Sequence, residues 1–149
     1  MIFDAQVVIN GPKEAIWALL TDIENAANTI HGIQSVDVLE RPAQGLVGLR
    51  WRETRMLFGK PASVVKWITD AVDCESYTTR AESDGLVHVS TTTIAEGSNG
   101  TILTSTHESL PQGTLARLMS IPMGFLFRGV AARALLQDLN DIKAAIERA

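Results

Sequence analysis

The chain is poor in most of what announces chemistry. One cysteine, Cys74, stands in 149 residues. A single thiol closes no internal disulfide, and such usage fits a reducing, cytoplasmic setting. Between two strand-like runs, Cys74 reads as a small buried or edge residue before it reads as a nucleophile. The three histidines, at positions 31, 88 and 107, are dispersed instead of spaced as metal ligands, so neither a metal nor another cofactor is expected. C-x-x-C, H-E-x-x-H, G-x-S-x-G and the phosphate-cradling P-loop are all missing. Basic residues do not cluster, and 13 Lys and Arg face 17 Asp and Glu, a formal charge of −4. A nucleic-acid partner wants a basic stripe, so none is expected. The opening Met-Ile-Phe-Asp-Ala-Gln lacks the basic-then-apolar layout of a signal peptide. The charge-free run at 118–127 falls short of the roughly 20 residues that span a bilayer, so no transmembrane segment is expected.

What is present is an ordinary globular balance, 46% hydrophobic and 20% charged. Residues 1–149 are expected to form one domain, and a chain of this size buries roughly 70% of its unfolded surface.

Ile2 to Asn10 reads as a strand, with Phe3, Ala5, Val7 and Ile9 on one face. Asn10-Gly-Pro12 breaks it, and Pro12 suits a helix start. Lys13 to Leu20 reads as a short helix with Ile16, Leu19 and Leu20 on one side. Thr21 or Asp22 can cap a second, from about Ile23 to Thr29. Strand patterns then recur about every ten residues: Ile33 to Glu40, Leu49 to Phe58, Ser63 to Val72, Cys74 to Ala81, Leu86 to Ala95 and Thr101 to Ser109. Ser83-Asp-Gly85 and Gly97-Ser-Asn-Gly100 are hairpin signals. Short loops favour an antiparallel meander. The chain closes on one long helical pattern, about Gln112 to Arg148. Pro122 should kink it, and Asp138, Asp141, Lys143 and Glu147 should lie mostly on its outer face. This order predicts an α+β fold. A curved antiparallel sheet of about seven strands wraps a long C-terminal helix, and the two short helices plug one end.

Several stretches resemble the START/Bet v 1-like superfamily, the helix-grip fold. Val8-Ile-Asn-Gly-Pro-Lys-Glu-Ala-Ile-Trp17 followed by Leu19-Leu-Thr-Asp22 is similar to that group's first strand and helix. Glu53-Thr-Arg-Met-Leu-Phe-Gly-Lys60, Asn99-Gly-Thr101, Ala116-Arg-Leu-Met119 and Asp138-Leu-Asn-Asp-Ile-Lys143 resemble the polyketide cyclase/dehydrase-like (SRPBCC) branch. The resemblance covers nearly the whole chain. It implies a cavity between sheet and helix, and members bind lipids, sterols, quinones, polyketides or plant hormones. Some catalyse cyclisation or dehydration. These stretches are shaped by the fold and carry no catalytic motif, and fold alone does not choose among such functions.

Three groups of residues are candidates for a site. If Ile94 and Leu103 point into the core, alternation puts His88, Ser90 and Thr92 on the same inner face, opposite Ser105 and His107. Hydroxyls and imidazoles there would orient a carbonyl or phenol, or move a proton near neutral pH. The opposite alternation turns Val87, Val89, Ile102 and Thr104 inward and leaves the histidines in water. The second group is Trp51, Glu53 and Arg55 on one strand face, with Trp67 on the next strand. It reads either as a clamp for a polar head group or as a solvent-face salt bridge worth little. The third is the apolar helix stretch, Met119, Met123, Phe125 and Leu126 above all, whose adaptable side chains suit a pocket lining, a core or a homodimer contact. The expected partner is thus a small hydrophobic molecule such as a lipid, quinone or aromatic polyketide-like compound. The alternatives are a cofactor-independent cyclase or dehydratase using His88 or His107, and a protein-interaction module.

Overall fold

The computed structural model describes residues 1–83, 85–112 and 114–149, with no side-chain description for 114–127. The elements run β1 (Ile2–Ile9), α1 (Lys13–Thr21), a 3₁₀ segment (Ile23–Asn28), β2 (Ile33–Glu40), β3 (Arg50–Leu57), β4 (Lys60–Val72), β5 (Ser76–Ser83), β6 (Leu86–Gly97), β7 (Gly100–Pro111) and α2 (Thr114–Arg148). The strand, two short helices, six strands and long helix of the sequence reading are all present. The expected kink at Pro122 and the side chains of Met119, Met123, Phe125 and Leu126 lie outside the described residues.

The seven strands form one curved antiparallel sheet in the order β1-β7-β6-β5-β4-β3-β2. Strands β2 to β7 follow the chain as a meander, and β1 returns to pair with β7, Ile9 opposite Thr101 and Ile2 opposite Glu108. Two-residue turns set the register of two hairpins. Phe58 and Gly59, both at positive φ (51° and 80°), close β3 onto β4, the twist that two-residue hairpins favour. Gly97 lies opposite Gly100 across Ser98-Asn99. Gly100 has φ 141°, and a Cβ there would come 2.7 Å from the carbonyl oxygen of Ile9. Only glycine lets β7 begin that close to the end of β1.

Several strand ends shift from the sequence reading by one to three residues, β4 for example beginning at Lys60 and not Ser63, and two residues read as strand lie in turns. Phe58 belongs to the β3–β4 turn, and Cys74 belongs to the β4–β5 turn at φ 57°. Left-handed backbone reverses the chain at both places, which hydrophobicity patterns do not register.

Alternation along β1, β6 and β7 buries Ala5, Val7, Ile9, Ile94 and Leu103 beneath α1 and α2, where Ile16, Leu20, Leu139 and Ile142 meet them. Ile9, Ile16 and Leu103 are fully enclosed, each contributing about 1.5–3 kcal/mol from burial. A second cluster of Ile23, Leu49, Trp51 and Ile68 closes the β2–β4 side.

Asp138 and Asp141 of α2 do not face outward as the sequence reading had it, whereas Lys143 is half-buried and Glu147 is exposed. Asp138 pairs with Arg55 of β3. Asp141 is buried and accepts from the His31 backbone N–H at 2.9 Å. Lys143 donates to the carbonyl of Val8, and Glu147 accepts from the N–H of Asn10 at 2.9 Å. These side chains satisfy backbone groups and charges at strand ends and loops that the helix covers. Their hydropathy alone suggested solvent.

Candidate functional site

The inner face of the sheet changes character along its strands. Toward the Gly97–Gly100 turn it is apolar. Toward the β5–β6 hairpin it becomes polar, because every second residue of β6 and β7 is Ser, Thr or His. Ile94 pairs with Leu103, both buried, which fixes the alternation. Thr92 then lies opposite Ser105, Ser90 opposite His107 and His88 opposite Ser109. Of the two faces weighed from sequence, this is the inward one for His88, Ser90, Thr92, Ser105 and His107.

These groups bond to one another. The His88 Nδ1 lies 3.0 Å from the Ser109 hydroxyl, and the His107 Nε2 lies 3.2 Å from the same oxygen. Beyond them, the Ser90 hydroxyl is 2.8 Å from His107 Nδ1, and the Ser83 hydroxyl is 3.3 Å from His88 Nε2. The imidazole centroids are 5.5 Å apart, and Phe3 stacks on His107 at 4.9 Å. Burial lowers the His107 pKa, and His88, Lys66 and the N-terminal ammonium push the same way, to about 4. The ring is therefore neutral at neutral pH, able to accept a proton at one nitrogen while donating at the other. Deeper in the face, burial raises the Tyr77 pKa against a hydrogen bond from Thr92, and Trp17 meets the Tyr77 ring edge-on at 6.0 Å.

The second group is also inside. Trp51 and Glu53 are buried at 3% and 6% exposure, so the solvent-face salt bridge does not describe them. Glu53 Oε2 accepts from Arg55 Nε and from Lys66 Nζ, each at 2.9 Å. Arg55 continues to Asp138 through two bonds, Nη1 to Oδ1 at 3.2 Å and Nη2 to Oδ2 at 2.8 Å. Lys66, Glu53, Arg55 and Asp138 thus form one run of alternating charge with no net charge. Burial alone would raise the Glu53 pKa, but the cations Lys66 and Arg55 outweigh it and hold it at about 2. Burial likewise opposes the charge on Arg55, and Asp138 and Glu53 more than restore it. Gly32 makes room for this pairing, since a Cβ there would lie 2.9 Å from Arg55 Nη1. The Trp51 indole N–H is buried and finds no acceptor among the described residues.

Trp67 is not brought to this group. Its neighbour in β4, Lys66, takes the inner face, and Trp67 stacks under the Arg50 guanidinium at 4.9 Å on the other side. The sequence reading missed Lys66, Ser83, Ser109 and Asp138 as members of the site. Ser109 follows from the alternation that gave His107. Lys66 follows from the β3–β4 turn, because Leu57 opposite Lys60 sets Trp51 opposite Lys66. Asp138 had no such signal, since its partner lies 83 residues away.

Among the described residues, no group of three or more His, Cys, Asp and Glu could hold a metal ion. Among them, too, no helix is long and apolar enough to cross a membrane.

The chain matches no protein-family model and no curated protein. Its likeness to solved structures is nonetheless extensive. It aligns over 99% of its length with the di-domain aromatase/cyclase StfQ of the steffimycin biosynthetic pathway, at TM-score 0.81 and 12% identity. The chain has the helix-grip fold of START and Bet v 1-like proteins. It spans half the length of StfQ. The Zhui aromatase/cyclase from Streptomyces sp. R1128 is similar at TM-score 0.79 and 17% identity, over 99% of this chain and 94% of that one. A START superfamily protein from Mycobacterium smegmatis is similar at TM-score 0.73 and 15% identity, over 99% and 97%. At such identities the likeness extends to the helix-grip fold and no further.

Proposed function

We propose that this chain binds a small hydrophobic molecule between the inner face of its sheet and α2. The observation that carries this reading is the hydroxyl-and-imidazole end of an inner face that is apolar toward the Gly97–Gly100 turn. Ser90, Thr92, Ser105, His107 and Ser109 sit inside the fold, and burying such groups costs free energy even when they bond to one another. A protein that only needed a core would place Val or Leu there. An apolar ligand with one carbonyl or phenol end would use both parts of the face. Burial would supply the affinity, at roughly 25 cal/mol per Å² before ordering costs, and the polar groups would set orientation. The ligand class is a lipid, a quinone or an aromatic polyketide-like compound. Met119, Met123, Phe125 and Leu126 would line the apolar part from the helix, and Trp51 and Thr92 from the sheet. We place the protein in a reducing, cytoplasmic setting, as its single thiol suggests.

Native mass spectrometry of the purified protein, with organic extraction of what travels with it, tests this reading. A stoichiometric apolar compound supports it, and Phe125→Ala should then weaken retention of that compound at least tenfold. An empty dimer would overturn it in favour of a docking role for the helix.

A second reading, a cofactor-independent cyclase or dehydratase, draws on one observation: two imidazoles bridged by one hydroxyl, with His107 held neutral. Arg55 and Glu53 would then position indirectly, because both are engaged in ion pairs. His107→Gln separates the two readings, since it should abolish turnover in a catalyst and leave affinity within about twofold in a carrier.

A further inference from the structure

Ser83, His88, Ser109, His107 and Ser90 form an unbroken string across β5, β6 and β7, with links of 3.3, 3.0, 3.2 and 2.8 Å. Its middle member settles how protons are arranged. A serine hydroxyl carries one hydrogen and accepts through its lone pairs. Ser109, itself buried, lies between His88 Nδ1 and His107 Nε2. With both rings neutral, it donates to one nitrogen and accepts from the other. When Ser109 donates to His107 Nε2, the His107 hydrogen is on Nδ1, and His88 must donate from its own Nδ1. When Ser109 donates to His88 Nδ1, both rings carry hydrogen on Nε2. In each arrangement the two imidazoles hold the same tautomer.

We propose that these five side chains are a proton relay, in which His88 and His107 switch tautomer together and a proton taken up at the Ser83 end is released at the Ser90 end. The transfer balances atom by atom. A solvent proton passes through Ser83 to His88 Nε2. The Nδ1 proton of His88 moves to Ser109, and the Ser109 hydroxyl proton moves to His107 Nε2. The Nδ1 proton of His107 moves to Ser90, whose own hydroxyl proton goes to an acceptor on the inner face. One proton enters, one leaves, and both rings end as the other tautomer. Run backward, the string accepts a proton at Ser90 and delivers one to water at Ser83.

The surroundings suit transfer better than storage of charge. Lys66 from β4, the N-terminal ammonium beside β1 and His88 from β6 all disfavour a cationic His107, and the Phe3 ring covers one of its faces. A lasting imidazolium at His107 is thereby disfavoured, while a passing proton leaves the string unchanged in charge. Identifying the acceptor at Ser90 as a bound carbonyl or phenolate rests on the ligand-binding reading. The coupled tautomers do not.

The test is long-range ¹H–¹⁵N correlation of histidine side chains in the ¹⁵N-labelled free protein at pH 7. Matching tautomers for His88 and His107 are expected, and opposite tautomers would overturn the relay. Exchange of the His107 ring N–H with solvent should slow at least tenfold in Ser83→Ala, which cuts the string at its hairpin end away from the buried middle. An unchanged rate would also overturn it. Ser109→Thr, which keeps the hydroxyl, should preserve both signatures, and their loss in a folded variant counts against the relay. Addition of 1-naphthol as an ionisable aromatic probe should shift both rings together. Matching tautomers with no naphthol response would leave the relay standing and count against the ligand reading alone.

Discussion

Arg55 on β3 and Asp138 on α2 grip each other through two parallel hydrogen bonds, across 83 positions of sequence. The pair ties the polar side of the long helix to the inner face of the sheet. Because Glu53 takes the third guanidinium position, the Arg55 head is fixed in plane and register. Such two-pronged pairs specify geometry as well as contributing energy.

Removing the charge from one end should therefore be costly. Asp138→Asn keeps the shape, and with Glu53 still in place the expected loss is about 2 kcal/mol. Urea unfolding should show a lower midpoint and an unchanged slope. The double variant with Glu53→Gln leaves a largely buried guanidinium without an anion, and its loss should exceed the sum of the single losses.

Stability should fall in acid through two groups with the same sign. Glu53 has a folded pKa near 2, below its usual 4.5, so its contribution is complete above about pH 4.5 and is lost as pH falls toward 2. His107 is held near 4, below 6.5. The unfolded chain thus binds the extra proton first, and stability declines as pH drops from 6.5 to 4. Equilibrium unfolding at pH 7, 5.5 and 4 should show the decline, and His107→Gln should remove roughly 2 kcal/mol of it once screening by solvent is allowed for.

Asp141 should act locally. Its Oδ2 accepts from the His31 backbone N–H, and its Oδ1 accepts from Gln137 and lies 3.1 Å from the His31 ring Nδ1. Burial opposes its charge, yet these donors lower its pKa. Asp141→Ala should release the segment before β2, at a cost of about 1–3 kcal/mol. Amide exchange at His31 should accelerate by at least tenfold more than at Leu103. Equal acceleration at both sites would count against a local role.

Gly100→Ala should lower the melting temperature by roughly 4–8 °C, corresponding to about 2 kcal/mol for a chain of this size. The new methyl group meets the Ile9 carbonyl and sits at a φ that L-residues avoid. Gly45, at φ 70° with open space around it, should tolerate the same change at a smaller cost.

Periodicity carried most of the fold. Alternation in β1, β6 and β7 is regular, so the apolar residues that close the core could be read directly. The same regularity brought His88, Ser90, Thr92, Ser105 and His107 to one face. What escaped was set by tertiary partners or by backbone. Trp67 and Lys66 are neighbours with comparable claims to the inside, and only the two-residue turn at Phe58-Gly59 decides between them. Asp138 and Asp141 look like solvent-facing helix residues because their partners are a distant guanidinium and a loop amide. Cys74 looks like strand because a left-handed turn leaves no mark on hydropathy.

The pairing of β1 with β7 also has a bearing on how the chain is made. A ribosome releases Ile2–Ile9 about a hundred residues before their hydrogen-bonding partners, Thr101 to Glu108. The meander from β2 to β7 can assemble hairpin by hairpin during synthesis, whereas β1 must wait for the strand that receives it. Until then β6 presents an open edge, the kind of surface that recruits other chains. Closing so long a loop is slow, and a nascent chain stalled before β7 would hold its first strand ready with nowhere to dock.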